Sequence, residues 1–220
     1  MKTMVIFSGG MDSATLLYHL RDQGHELMAI GIDYGQRHAV ELRYAHKFCK
    51  AIGIPYPVLN LQDIGRYLTG SSQTDRSIPV PHGHYQAETM KTTVVPGRNL
   101  LMLAAAASVA LANHCDALAY GAHAGDHFIY VDCRPTFIQM VKEVLLNCDC
   151  QPLQLLTPFR DWTKGQIVKE GLRLKVPYEH TWTCYSGDQE PCGLCGSCNE
   201  RIAAFEENGV PDPALNLTGK

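Results

Sequence analysis

KTMVIFSGGMDSATLLYHL, residues Lys2–Leu20, decides the fold. Its apolar start predicts a β-strand up to Phe7, and a helical pattern begins at Ala14. Between the two elements, glycines let successive N–H groups point into one concavity, and the start of the helix adds its positive dipole end there. We therefore predict a phosphate-binding loop whose contributing residues are Ser8, Gly9, Gly10, Asp12 and Ser13.

This loop differs from the two commonest nucleotide-binding motifs. No lysine follows the glycines as in a Walker A loop, and the G-x-G-x-x-G spacing is absent. A lysine-free loop suits a pyrophosphate group that is held by N–H groups, hydroxyls and magnesium. The alternative is structural: the glycines make a tight turn, Asp12 caps the helix and the serines are solvated.

Outward from this loop, strand patterns alternate with helix patterns. Such alternation predicts an α/β fold with a doubly wound parallel sheet and helices on both faces. Ligands of such sheets bind beyond the carboxyl ends of the strands, so the loop and the segment Asp33–Arg37 should face one pocket. The predicted elements after the first helix are Glu26–Asp33, Glu41–Ile52, Tyr56–Leu61, Leu100–Ala112, Ala117–Tyr120, Pro135–Leu146, Leu153–Thr157 and Thr163–Leu174.

Composition narrows the class of protein. The chain has 220 residues, a net charge of -3 and no basic run, which favours a small-molecule substrate over a nucleic acid. The longest apolar run, Leu100–Ala112, is shorter than the roughly 20 residues that a membrane crossing needs. No secretory signal is readable, so we expect a cytoplasmic protein with reduced thiols.

Four of the nine cysteines form a pattern near the end of the chain. They follow the spacing C-x7-C-x2-C-x2-C, which can close a tetrahedral site of four thiolates. Zinc in a structural role is the favoured occupant of this site. An iron–sulfur cluster and the absence of any metal are the alternatives. We divide the chain into an α/β domain, residues 1–176, and a small zinc-binding segment, residues 177–220. The predicted ligands are Cys184, Cys192, Cys195 and Cys198.

Together these segments resemble one family, the 7-cyano-7-deazaguanine synthases of the queuosine pathway, within the N-type ATP pyrophosphatase (PP-loop) superfamily. The resemblance implies a Rossmann-like nucleotide domain, bound zinc and a homodimer. It also implies conversion of 7-carboxy-7-deazaguanine to the 7-cyano base with ATP and ammonia. The motifs that carry it, besides the cysteines, are SGGMDSAT at Ser8–Thr15, DYGQRH at Asp33–His38, VPGRN at Val95–Asn99, DCRPTF at Asp132–Phe137 and TPFRDWTKGQI at Thr157–Ile167.

Catalysis is predicted to rest on Asp12 and Ser13 of the loop, together with Lys164 and Arg98. Lys164 would neutralise phosphate charge, although an exposed lysine at a helix start is the alternative. Arg98 is the next candidate for neutralising phosphate charge, and Asn99 follows it in the sequence. Its alternative role is a salt bridge that fastens the long loop 62–97.

The remaining site predictions concern metal, ribose and base. Asp33, at a strand end, is predicted to bind magnesium or the ribose, or else only to cap the turn before Gly35. The substrate is assigned by resemblance to Arg37, Asp132, Arg134 and His123. His123 stands where the family is expected to have asparagine, so the amide, not the nitrile, is an alternative end product.

Two other classes of protein remain open at this stage. A tRNA-modifying PP-loop thiolase would share the ATP loop, but it should show a basic surface for RNA. A non-enzymatic zinc module would have no need of a pyrophosphate loop.

Overall fold

The computed structural model describes residues 1–84 and 88–215. Within this part of the chain, five parallel strands form one sheet in the order β3-β2-β1-β4-β5. The first strand lies at the centre, and the chain winds from it to one edge and then to the other, as predicted. The strands are β1 Lys2–Ile6, β2 Glu26–Asp33, β3 Val58–Asn60, β4 Ala117–Ala119 and β5 Gln154–Leu156.

Helices cover both faces of this sheet, because successive side chains of a strand point to opposite sides. Met4 and Ile6 of β1 face a hydrophobic cluster formed with α4 and α5, whereas Val5 faces α1 and α6. The Rossmann-like, doubly wound arrangement is therefore confirmed. The α-helices are α1 Met11–Asp22, α2 Val40–Ile52, α3 Gln62–Gly65, α4 Arg98–Ala112, α5 Pro135–Asn147, α6 Lys164–Arg173 and α7 Gly196–Glu207.

Local signals placed several helix starts correctly. Pro135 occupies the start of α5, and Thr163 caps α6 with a capping box in which Gln166 takes part. The predicted start of the first helix, Ala14, is too late. Helix α1 begins at Met11, and its N-cap is Gly10. Asp12 therefore lies in the first turn, and the alternative in which it caps the helix is wrong.

The C-terminal part of the chain contacts the first helix closely. The hydroxyls of Tyr178 and Thr15 are 2.7 Å apart, and Phe205 of α7 belongs to the same hydrophobic cluster as Phe7. Helix α7 was not predicted, because the glycines and cysteines around it masked a helical pattern. The domain boundary at residue 176 stays a prediction, and these contacts cross it.

The helices were compared with the length and apolar character of a membrane-spanning helix. Across residues 1–84 and 88–215, none combines the length and the apolar character that a bilayer crossing requires.

Candidate active site

The glycine loop is held against α2 and the C-terminal segment. Gly9 has a φ of +86°, and a Cβ added there would lie 2.7 Å from the carbonyl oxygen of Glu41. The carbonyl of Gly9 accepts a hydrogen bond from the amide of Trp182 at 2.8 Å. Only glycine fits this backbone conformation at this distance, which explains the residue that the sequence has there.

The start of α1 opens into a cavity of about 210 Å³ at the carboxyl ends of the strands. The first N–H groups of a helix have no carbonyl of a preceding turn as acceptor, so those of Met11, Asp12 and Ser13 are available to an anion. The hydroxyls of Ser8 and Ser13 lie 3.3 Å apart beside them. The loop therefore has the donors that a pyrophosphate group requires.

Lys164 enters this cavity from the start of α6. Its Nζ lies 2.7 Å from Oδ2 of Asp12 and 3.1 Å from Oε2 of Glu200, and its side chain is 10% exposed. Burial lowers the pKa of Lys164, but Asp12 and Glu200 outweigh burial and raise it. Lys164 is thus a largely buried cation and not the exposed helix-start lysine of the alternative prediction.

Asp12 is the matching anion. Burial raises its pKa, whereas the charges of Lys164 and His123 lower it, with a net result below the ordinary value. Its second oxygen, Oδ1, is buried and has no hydrogen-bond partner in the described part of the chain. Because magnesium prefers oxygen ligands and keeps several waters, this unpartnered carboxylate oxygen beside the phosphate loop fits that ion.

His123 belongs to the same group of charges. It is 2% exposed, its Nδ1 accepts a hydrogen bond from the amide of Gly125 at 3.1 Å, and its Nε2 lies 2.9 Å from Nζ of Lys164. The structure therefore places His123 at the phosphate side of the cavity. His127 and Phe128, a few residues further along the chain, do not line the cavity.

Arg98 lies at the other side of the cavity, at the start of α4. Its guanidinium stands 5.9 Å from the ring centroid of Tyr130, and its Nε donates to Oδ1 of Asn99 at 3.2 Å. No carboxylate lies within 4 Å of it among residues 1–84 and 88–215. The predicted alternative, a salt bridge that fastens the long loop, is absent from that part of the structure.

Besides Gly9, which supports the loop from behind, four predicted site residues lie outside this cavity. Asp33 accepts the amide of Gly35 at 3.0 Å, which is the turn cap expected as its alternative. Arg37 donates to the carbonyls of Asp75 and Ile78 and so holds the long loop. Their ligand-binding roles stay predictions.

The other two members of that group lie just before α5. Asp132 accepts the backbone amide of Asn99 at 3.3 Å, one residue from Arg98. Arg134 is exposed and donates to the carbonyl of His127 at 2.9 Å. Asp132 is thus suited to supporting the start of α4, and both residues keep their substrate roles only as predictions.

Sequence reasoning missed several polar residues that line the cavity. His38 ends the DYGQRH motif just before α2 and Glu41 lies on α2, whereas Glu200 and Ser197 come from the unpredicted helix α7. His38 stood inside a motif that had been singled out, so its position was a usable signal. The sequence around Glu200 held no such signal, because only the packing of α7 on α6 brings Glu200 to Lys164.

The four cysteines do come together. Their sulfur atoms all lie within 4.8 Å of one another, which is a geometry that could hold a metal ion. Backbone amides of Ser186 and Cys192 donate to Sγ of Cys184, and the start of α7 carries Cys195 and Cys198. Such donors and a helix N-terminus favour thiolates.

The cysteine cluster also anchors the long loop. The amide of Gly83 donates to the carbonyl of Leu194 at 3.1 Å, and Asn199 returns a hydrogen bond to the carbonyl of Gly83 at 2.7 Å. The residues next to the cysteines thus connect the loop before α4 with α7.

The fold and the loop define the class of protein. A parallel sheet whose central strand leads through a lysine-free glycine loop into a helix N-terminus is a nucleotide-binding domain of the PP-loop ATP pyrophosphatase type. Within that class, the family model described as queuosine biosynthesis protein QueC matches residues 2–209, and the chain belongs to this family.

Curated relatives agree with this assignment over nearly the full length. A 7-cyano-7-deazaguanine synthase of Marinobacter nauticus is 47% identical over 210 residues, which cover 96% of this chain and 95% of the relative. One of Methanoregula boonei is 47% identical over 213 residues, covering 97% and 98%.

Solved structures share the fold at much lower identity. The structure of NMN synthetase from Francisella tularensis has a TM-score of 0.51 at 13% identity and covers 98% of this chain and 80% of its own. A structure described as a predicted subunit of tRNA methyltransferase from Methanocaldococcus jannaschii has a TM-score of 0.51 at 18% identity, covering 97% and 91%. These likenesses concern the fold alone.

Proposed function

We propose that this protein converts 7-carboxy-7-deazaguanine and ammonia to 7-cyano-7-deazaguanine with ATP, releasing AMP and pyrophosphate. The observation that carries the proposal is the family membership over residues 2–209, joined to a cavity that presents helix N–H groups and a buried lysine. The direct experiment is mass spectrometry of the base after incubation with ATP and ammonium. A nitrile product supports the proposal, and an unchanged acid contradicts it.

The chemistry explains why the site needs a pyrophosphate loop. A carboxylate does not react with ammonia until its oxygen becomes a leaving group, and transfer of AMP to that oxygen releases pyrophosphate. Ammonia then displaces AMP and gives the amide. A second transfer of AMP, to the amide oxygen, makes that oxygen a leaving group in turn, and loss of AMP and a proton leaves the nitrile.

The residues of the cavity have distinct parts in this scheme. The loop amides and the hydroxyls of Ser8 and Ser13 bind the departing pyrophosphate and stabilise its growing charge. Lys164 adds a positive charge at the same place, where the low dielectric of a buried site strengthens its effect. Arg98 neutralises negative charge on the opposite wall. Magnesium would be held beside the loop by Asp12 and would shield the phosphates.

The cysteine cluster is assigned a structural role. Four thiolate ligands close the coordination sphere of zinc and leave no position for a substrate. Zinc bound to Cys184, Cys192, Cys195 and Cys198 would fix the start of α7, and therefore Glu200 beside Lys164, and hold the long loop before α4.

Partners and location follow from charge and surface. The net charge of -3 argues against an RNA surface and so against the thiolase alternative. We expect a homodimer in the cytoplasm. Exposed apolar side chains on and before α5, namely Val131, Met140 and Val144, are consistent with a subunit interface.

A second candidate product, the 7-amido base, has one observation in its favour. His123, which stands for an expected asparagine, lies beside Lys164 and Asp12 in the part of the cavity where both transfers of AMP would take place. A site that releases the amide early would stop at this stage. The ratio of amide to nitrile in the same mass spectra decides between the two products.

A further inference from the structure

The carboxyl group of Glu41 lines the cavity but has no role in the proposed reaction. Glu41, in the first turn of α2, lines the cavity, and its side chain is 13% exposed. Its Oε1 accepts a hydrogen bond from Nε2 of Gln36 at 3.3 Å, and Nε2 of His38 lies 3.6 Å from the same oxygen. The other oxygen, Oε2, has no hydrogen bond to residues 1–84 or 88–215. Oε1 of Glu41 is therefore held by its neighbours, whereas Oε2 is available to a ligand.

The surroundings of Glu41 suit a flat ring. Tyr34 and Tyr185 line the same cavity, together with the apolar side chains of Ile32 and Met102. The rings of His38 and Tyr185 are 5.4 Å apart at an interplanar angle of 44°. Aromatic and apolar walls around a few polar groups are typical of sites that bind heteroaromatic ligands.

The charge of Glu41 depends on what binds. Burial raises the pKa of Glu41 to about 8, whereas the hydrogen bond from Gln36 and the charge of Arg98 act in the opposite direction. A carboxyl group in this setting is stabilised as an anion when a ligand offers it further N–H donors.

We propose that Glu41 selects the base, by accepting hydrogen bonds from the ring N–H and the exocyclic amine of its pyrimidine half. This inference rests on the proposed function and names a specificity-determining residue for it. A carboxylate is an acceptor only, and it matches an edge with two adjacent donors. Guanine-type rings have that edge, whereas adenine has a donor next to an acceptor. Glu41 thus distinguishes the base from the adenine of ATP, which enters the same cavity.

A structural role for Glu41 predicts something different. An acid in the first turn of α2 also stabilises the helix N-terminus. Loss of that contribution would lower the melting temperature, but it would not change the preference for one base over another. The test therefore has to measure selectivity.

The experiment compares two substrates on two forms of the enzyme. The first substrate is 7-carboxy-7-deazaguanine, and the second is the analogue that lacks the exocyclic amine. Because a site built around a hydrogen bond is left unpaired by the analogue, the wild type should prefer the true base by roughly 10- to 100-fold in kcat/KM. Glu41→Gln should lose most of this preference, while the KM for ATP stays near the wild-type value. Glu41→Asp should recover part of the preference.

Each outcome bears on Glu41 separately from the proposed function. Failure of the wild type to form AMP with the true base would contradict the function itself. A wild type that uses both bases equally well would overturn the role of Glu41, even if the variant does not fold. The same holds if Glu41→Gln keeps the full preference or raises only the KM for ATP. Glu206→Gln, an exposed position on α7, is the control.

Discussion

At the scale of single residues, the phosphate loop is completed by a lysine from a distant part of the chain. The loop has no lysine of its own, and Lys164 stands 152 positions after Asp12, yet their charged groups are 2.7 Å apart. Asp12, Asp126 and Glu200 surround this one buried cation with negative charge. The structure thus gives the loop the positive charge that its sequence lacks.

We predict that Lys164→Met lowers the rate of AMP formation by roughly 100-fold or more, because a buried charge facing the phosphates is lost. The same change leaves Asp12 and Glu200 without their counter-charge, and breaking such a buried pair costs about 3–5 kcal/mol. Rates should therefore be measured below the melting temperature of the variant.

The matched control is Lys169→Met, on the exposed side of the same helix. Its rate and its stability should stay close to those of the wild type. If Lys164→Met is as active as this control, the role of Lys164 at the phosphates is wrong.

A second prediction at this scale concerns His123. Changing His123 to asparagine should shift the ratio of amide to nitrile, because Nε2 of His123 lies 2.9 Å from Nζ of Lys164, which is proposed to act in both transfers of AMP. The products are separated by mass spectrometry, with the exposed His180→Asn as control. A constant ratio together with weaker ATP binding would assign His123 to the nucleotide alone.

At the scale of elements, an ion pair joins α6 to α1 away from the cavity. Glu170 on α6 accepts from Nε of Arg173 at 2.8 Å and lies 2.8 Å from Nδ1 of His19 on α1. The hydrogen bond from Arg173 outweighs burial and, with His19, lowers the pKa of Glu170 from 4.5 to about 2. A folded-state pKa below the unfolded value stabilises the protein above that unfolded value, and this contribution is lost as the pH falls through both.

Glu170→Gln should therefore lower the free energy of unfolding by about 1 kcal/mol at neutral pH. The difference from the wild type should shrink as the pH falls below 4.5 and towards about 2. Urea unfolding at several pH values measures it, with Glu206→Gln as control. A difference that grows on acidification would contradict a lowered pKa of Glu170 in the folded protein.

The cysteine cluster is the second feature at this scale. We predict one bound zinc ion per chain, found by elemental analysis, and a much lower melting temperature for Cys198→Ser than for Cys148→Ser. Both variants remove a thiol, but Cys148 is exposed and away from the cluster. Metal binding that fixes the start of α7 contributes to folding. Iron with sulfide, or equal melting temperatures, would contradict the zinc assignment.

At the scale of the whole molecule, the sequence predicted the sheet better than the cavity. Strand β2 has the predicted bounds, since an apolar run between Gly24 and Gly35 is an unambiguous local signal. The glycine loop between β1 and α1 was also readable, because all its residues are neighbours in sequence. Its binding of phosphate stays a prediction. Local pattern thus sufficed wherever the structure is local.

The rest of the cavity depends on contacts that local patterns do not encode. Glu200 reaches Lys164 only because α7 returns to α6, and Glu41 faces the cavity only because α2 packs beside Gly9. Of the four residues assigned to the substrate by resemblance, only His123 lines the cavity, whereas Arg37, Asp132 and Arg134 do not. Position along a motif does not determine on which side of the chain a side chain emerges.

The central claim is that this cavity cleaves ATP between its α and β phosphates, once for each of two successive activations. The most direct measurement counts nucleotide products against base products in one reaction, by chromatography of AMP and mass spectrometry of the base. We predict two AMP and two pyrophosphate for each nitrile formed, with one AMP for each amide. Release of ADP and inorganic phosphate as the main products would contradict the claim.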